Sequence, residues 1–272
     1  MSEHYANDEV PEGVELSYSP VGEVILQRIG ATLAVAGYLA HDNDCQDPTE
    51  DCDSVGKIYT SHRHSSTQSK MQTAMGLDST WEPNFDLLDV DEIDRLYIET
   101  HGQESYDLCG QDPNYAAQWD AIALACWNHS RNNGSIGNPY ALWLDIYDHG
   151  CQIFSLSGSG MQCQWDTARR AACWAPDDAL IEHIETFPED KRKDEAERIC
   201  RGELEYYNNW STGECYGVIV TVYDLSTGDE IKPDECWGYI GFNHAMEEVK
   251  SLVAYKMSTV PLTKGYQMEL TV

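Results

Sequence analysis

Residues 41–53 read HDNDCQDPTEDCD, six carboxylates and two thiols in thirteen positions, and His62 and His64 follow shortly after. Carboxylates, thiolates and imidazoles are the side chains that hold divalent cations. For zinc, Cys45, Cys52, His62 and His64 offer four ligands of suitable type. Their spacing, C-x6-C and then H-x-H, is not that of a zinc finger or ribbon, and the chain contains no C-x-x-C. For calcium, a loop opening at Asp42 offers Asp42, Asp44, Gln46, Glu50 and Asp53 at positions one, three, five, nine and twelve. The sixth position, where a sharp turn needs Gly, is Asp47, and Pro48 follows it. The stretch is read first as displayed negative charge and second as a metal site.

A second constellation is Asp145, Asp148 and His149, expected at the end of a strand. Such groups suit divalent-cation binding or acid–base work. No second carboxylate cluster stands at a recognisable spacing, so the plainer reading is a polar strand-to-turn junction. The glycines of SLSGSGMQ (155–162) suggest a phosphate loop, but the Walker lysine is missing and no helix is expected there; a hairpin turn is the expectation. Arg169 and Arg170 read as counter-charges for neighbouring acids. No cofactor is expected, with zinc or another divalent cation as the alternative.

The elements that must position these groups come from periodicity and turn chemistry. Residues 1–20 are polar and acidic and read as a flexible lead-in. Ile25, Ile29, Leu33 and Ala36 recur at helical spacing, which predicts an amphipathic helix over Val24–Ala40. An extended piece is expected at VGKIYTSHRH, with His62 and His64 on one face. Residues 78–113 mix acidic turns with a weak pattern and define no element. NYAAQWDAIALACWNH predicts a helix. YALWLDIYDH and CQIFSLSGSG predict a strand pair, CQWDTARRAACW a further extended segment, and PDDAL a helix start capped by Asp177 or Asp178. That helical stretch runs to about Asn209 with a break at Pro188 and a stripe of Ala196, Ile199, Leu204 and Tyr207. CYGVIVTVYD and ECWGYIGF flank the turn-rich LSTGDEIKP, a hairpin signal. A last helix aligns Met246, Val249, Val253 and Met257. Strands and helices come in runs, so the expected class is α+β, with a mainly antiparallel sheet and flanking amphipathic helices. The expected division is 1–20, 21–138 and 139–272, the last two able to form one continuous domain.

Charge is the strongest compositional signal. The 272 residues hold 47 Asp and Glu against 17 Lys and Arg, a net charge of −30. Residues 1–56 alone hold twelve acids and one base, and a second excess surrounds 177–214. A field of this sign repels nucleic acid and anionic lipid and attracts proteins with basic grooves, so direct nucleic-acid binding and a membrane partner are excluded. Eight Trp and sixteen Tyr argue against wholesale disorder. The N-terminal residues lack the basic start and apolar run of a signal peptide, and the most apolar stretch is interrupted by Gln27 and Arg28. The expected location is therefore the cytoplasm, where ten cysteines stay mostly thiols.

The run DIYDHGCQIFSLSGSGMQCQWDTARRAACWAPDD, with YYNNWSTGECYGVIVTVYD and DECWGYIGF downstream, resembles an uncharacterised family of hypothetical proteins carried by bacteriophages and other bacterial mobile elements. The likeness covers roughly residues 140–257. It implies no activity and no catalytic residues. It implies a genetic setting in a bacterial host cell, where acidic proteins that imitate DNA and block restriction or CRISPR enzymes recur.

Charge and setting lead to one expectation: a non-enzymatic nucleic-acid mimic that occupies the DNA- or RNA-binding groove of a basic host defence nuclease. The partner-binding residues expected are Asp42, Asp44, Asp47, Glu50, Asp51 and Asp53 on the loop, and Asp89, Asp91, Glu92 and Asp94 on the next acidic stretch. Glu189, Asp190, Asp194, Glu195 and Glu197 on the long helix complete the set. The alternatives are a metal-dependent enzyme using Asp145, Asp148 and His149, with His62 and His64, and a phage accessory binding protein.

Overall fold

The computed structural model describes residues 4–5, 14–30, 32–51, 56–62, 67–231 and 233–269. In chain order the elements are β1 (His4–Tyr5), β2 (Val21–Ile29), β3 (Leu33–His41), α1 (Pro48–Asp51), β4 (Lys57–Thr60) and α2 (Gln68–Met75). A 3-10 turn at Phe85–Leu87 precedes α3 (Val90–His101), α4 (Gln103–Asp107) and α5 (Tyr115–Asn132). Then come β5 (Leu142–Asp148), β6 (Gln152–Leu156), β7 (Thr167–Ala175), α6 (Asp178–Glu185), α7 (Glu189–Ser211), β8 (Cys215–Asp224), β9 (Asp234–Ile240) and α8 (Phe242–Glu269). Two antiparallel sheets with helices make this an α+β fold. No helix among the described residues is long and apolar enough to cross a membrane.

The chain divides into two compact units: residues 1–51 with 205–272, and residues 52–204. This partition differs from the lengthwise one expected, because the first and last strands share a sheet. The first unit holds that sheet, in the order β1-β2-β3-β8-β9. Ile25, Val35, Leu39, Val218, Val220 and Val222 bury one face against Ala245, Met246, Val249 and Val253 of α8. The other face carries Val24, Tyr38, Leu26, Ala34, Ala36 and Tyr223, covered by Val14 and Leu16. Residues 14–16 of the expected lead-in are thus part of the fold, and residues 6–13 lie outside the described residues.

The helix expected over Val24–Ala40 is instead the β2–β3 hairpin, paired from Ile25↔Gly37 to Ile29↔Leu33. Gly30, at φ +64°, supplies the left-handed turn. Both faces of β3 are covered, so eight successive residues are buried and the alternation that marks a strand vanishes.

The second unit contains the four-stranded sheet β4-β7-β5-β6. Met71 and Met75 of α2 pack on Ala141, Cys173 and Ala175. The expected strand pair is β5–β6, and the further extended segment is β7, which pairs with β5. Residues 155–162 are not a hairpin turn: they lead from β6 to β7, and these strands lie on opposite sides of β5. Asp177 caps α6, accepting the Leu180 N–H at 2.9 Å. On α7, Ala196 and Leu204 are buried as expected, with Cys200 and Glu195, while Ile199 and Tyr207 are half-buried.

Candidate partner-binding surface

Within the second unit, α3, α4 and the start of α5 close around an aromatic core that is unusually polar. The Tyr97 ring stacks on His101 at 4.6 Å and tilts against Tyr115 at 4.9 Å, and its hydroxyl donates to Gln118 Oε1 at 2.9 Å. Asp94 joins the three segments: Tyr106 Oη donates to one carboxylate oxygen at 2.6 Å and Trp119 Nε1 to the other at 2.9 Å. The hydrogen bond to Asp94 pushes the Tyr106 phenol up to about 12, with burial and the Asp94 charge adding to it. Asp89 caps α3 by accepting the Asp91 N–H, and Asp91 and Glu92 occupy its first turn, where the helix dipole favours carboxylates.

The outer surface of this helical group is dense in acid. Residues 78–120 hold twelve Asp and Glu and a single base, Arg95. Nine of the twelve are exposed: Glu82, Asp86, Asp89, Asp91, Glu92, Glu99, Glu104, Asp107 and Asp120. Arg95 is held between Glu92 and Glu99, 2.5 Å from each, which raises the guanidinium and lowers the Glu92 carboxyl from their ordinary values. Asp89, Asp91 and Glu92 from the expected set lie on this surface. Asp94 lies beneath it in a structural role. Glu82, Asp86, Glu99, Glu104, Asp107 and Asp120 were missed, although the density of acids over 78–120 is visible in the sequence.

Of the acids expected on the loop and the long helix, some are exposed and others are acceptors within the fold. Asp42 accepts the N–H groups of Asp44 and Gly238, and Asp47 accepts both the N–H and the hydroxyl of Thr49. Asp44 is exposed. Glu50 and Asp51 are described by backbone alone, in α1, and Asp53 lies outside the described residues. On α7, Glu189, Asp190 and Asp194 are exposed but interleaved with Lys191, Arg192 and Lys193. Glu195 is buried, receiving Arg198 Nε at 2.9 Å and Nη2 at 2.7 Å, with His183 Nε2 at 3.3 Å. The Arg198 hydrogen bonds outweigh burial and hold the Glu195 carboxyl at about 2. Glu197 lies 3.9 Å from Arg201.

Of the alternative site's groups, Asp145 is taken up by four hydrogen bonds, Asp148 meets His62, and His149 faces a different acid. Asp145 sits in the middle of β5, 1% exposed, rather than at its end. One carboxylate oxygen accepts Ser157 Oγ and the Arg170 N–H, the other the Gly158 N–H and Gln162 Nε2, at 2.8–3.0 Å. Burial works to raise this carboxyl, and the four donors overcome it, leaving it below its ordinary value. Asp148 faces His62 Nε2 at 3.4 Å, and His62 Nδ1 meets Gln152 Nε2 at 3.1 Å. His149 faces Asp166 instead, also at 3.4 Å. His62 lies beyond the end of β4, and Cys45 belongs to the other compact unit. Cys52 and His64 lie outside the described residues. Among the described residues, no three His, Cys, Asp or Glu side chains are grouped so that they could share a metal ion.

Trp210 Nε1 donates to the Cys45 carbonyl at 3.2 Å and tilts against Tyr207. Trp237 lies over Gly217, where its indole fills the space a side chain would need. No family model, curated protein or solved structure matches the chain.

Proposed function

We propose that this chain is an acidic inhibitor that occupies the nucleic-acid groove of a basic bacterial defence nuclease, of the restriction or CRISPR type. The observation that carries this reading is the segment 78–120, through α3, α4 and the start of α5, with twelve acids against one base and nine of the acids exposed. Proteins that grip a duplex present rows of Lys and Arg matched to closely spaced phosphates, and much of their affinity comes from releasing counterions. Carboxylates fixed on helices meet the same rows. Asp94 and Tyr97 supply the rigidity by tying α3 to α4 and α5 through side-chain hydrogen bonds.

The test is capture of partners from nuclease-treated bacterial lysate on the full-length protein, eluted with rising salt and identified by mass spectrometry. The expected result is a nucleic-acid-cleaving enzyme that is released at high salt and displaced by competing duplex. Retention of no basic partner at low salt overturns the reading, as does a captured nuclease that duplex does not displace.

A further inference from the structure

β9 is the outer strand of the five-stranded sheet, and residues Asp234–Gly238 are exposed although β8 beside them is buried along nearly its whole length. Besides its ladder with β8, the β9 backbone meets one further partner among the described residues: the Gly238 N–H donates to Asp42 Oδ2 at 2.9 Å. Trp237 and Gly238 together stand opposite Gly217, a bulge that leaves Asp234–Cys236 as the regular part of the edge. Asp234 lies on the α8 face, 2.6 Å from Lys256. Glu235 and Trp237 lie on the other face, beside Tyr18. The Tyr18 hydroxyl donates to Glu235 Oε2 at 3.1 Å, and its ring meets the indole edge-on at 5.1 Å and 77°. Both rings stay more than a third exposed, at 37% for Tyr18 and 39% for Trp237. Glu230 adds a second carboxylate, accepting Ser17 Oγ and Tyr223 Oη at 3.0 Å each.

We infer that β9 accepts a short, basic, extended segment of a partner protein as a sixth strand, with a Lys or Arg side chain seated against Trp237 and Glu235. Three features select this occupant. The open edge offers main-chain hydrogen bonds to any extended segment. A side chain opposite Glu235 on an added strand lies diagonal to Trp237, within reach of it for a long Lys or Arg, and an exposed indole attracts a cation through its ring face. Glu235 and Glu230 complement that cation and repel an acidic strand, including β9 of a second copy of this chain.

The probe is an alternating Lys–Thr hexapeptide labelled with a fluorophore and titrated into the full-length protein. Binding saturates and changes the tryptophan emission. Glu235→Lys and Trp237→Leu each weaken it about tenfold, whereas Glu104→Lys, on the other acidic surface, changes it less than about twofold. N-methylation of alternate peptide amides, which blocks strand pairing and keeps the charge, also weakens it about tenfold. Equal affinity for the methylated and unmethylated peptides overturns the inference, as does unchanged binding by Glu235→Lys. Should Trp237→Leu fail to fold, Glu235→Lys and the methylated peptide decide the matter. An equal loss from Glu104→Lys shows general charge attraction and overturns the inference, while leaving the groove-occupying function standing.

Discussion

The carboxylate of Asp145 accepts the amide N–H of Arg170 at 2.8 Å, and Arg170 holds a left-handed φ of +50°. A non-glycine residue rarely adopts that conformation, and a buried acceptor aimed at its amide is a sufficient local reason for it. The same carboxylate holds Ser157, Gly158 and Gln162, so one buried acid fixes the connection from β6 and a turn of the backbone within β7. Trp165, in that connection, is 86% exposed.

Asp145→Ala removes the acceptor of two backbone N–H groups, those of Gly158 and Arg170, and of the Ser157 and Gln162 side chains. The expected cost is about 3 kcal/mol, read as a lower urea midpoint at an unchanged slope. Because the folded carboxyl lies below its ordinary value, the stability it contributes is complete above that value and is lost as pH falls through the depressed one. The Asp145→Ala variant should therefore lose less stability than wild type between neutral and strongly acidic pH. A variant that matches wild type in both measurements contradicts the anchoring role.

Gly37 lies where α8 crosses β3, and a Cβ there would collide with the methyl groups of Val249 and Val253. Gly37→Ala should destabilise the protein by about 2 kcal/mol through overpacking. The double variant Gly37→Ala with Val253→Ala should recover part of that loss, which a double-mutant cycle of denaturation midpoints measures. A purely additive cycle removes the close approach as the cause.

These positions show which parts of the structure were legible in the sequence. The β5–β6 and β8–β9 hairpins announce themselves because each joins apolar runs through turn residues, α7 and α8 because each buries one stripe, and α5 because its apolar residues recur at helical spacing around the buried Ala123. β2 and β3 were misread because a sheet covered on both faces erases the period of two. α3 shows no clear pattern in the sequence although Ile93 and Tyr97, one turn apart, form its buried face, because acids crowd the same turns and the neighbouring cluster of Tyr106, Tyr115 and Trp119 around Asp94 is polar as well as aromatic. Acid content is readable from sequence, but the use of each acid is not. Asp42, Asp47, Asp94, Asp145 and Glu195 are turn, core or ion-pair acceptors, and only the folded chain separates them from the exposed set.

Glu195 provides a pH signature of its own. Its folded carboxyl stands at about 2 against an ordinary 4.5, because Arg198 and His183 donate to it. A depressed folded value means that its contribution is complete above about 4.5 and disappears as pH falls toward 2. Glu195→Gln should lower the midpoint of thermal unfolding by about 2–4 °C at neutral pH, corresponding to roughly 1 kcal/mol. The gap from wild type should close across that acidic window. A gap that persists at pH 2 assigns the loss to packing instead.

The inhibitor reading is tested most sharply by moving charge without moving structure. Glu104, Asp107 and Asp120 are exposed, and none of them belongs to an ion pair among the described residues. Changing all three to Lys alters the local charge by six while leaving the Asp94 hydrogen bonds in place. Circular dichroism and the unfolding midpoint should stay close to wild type, since surface changes of this kind cost about 0.5 kcal/mol or less each. Affinity for the captured nuclease should fall about a hundredfold at low salt, and its dependence on salt concentration should flatten, because fewer counterions are released from the partner's groove. The matched control, Glu189, Asp190 and Asp194 changed to Lys, makes the same change of charge on α7, where Lys191, Arg192 and Lys193 already dilute the field. It should weaken capture only a few-fold. Equal losses from the two triple variants would mean that net charge, and not the α3–α4 surface, recruits the partner.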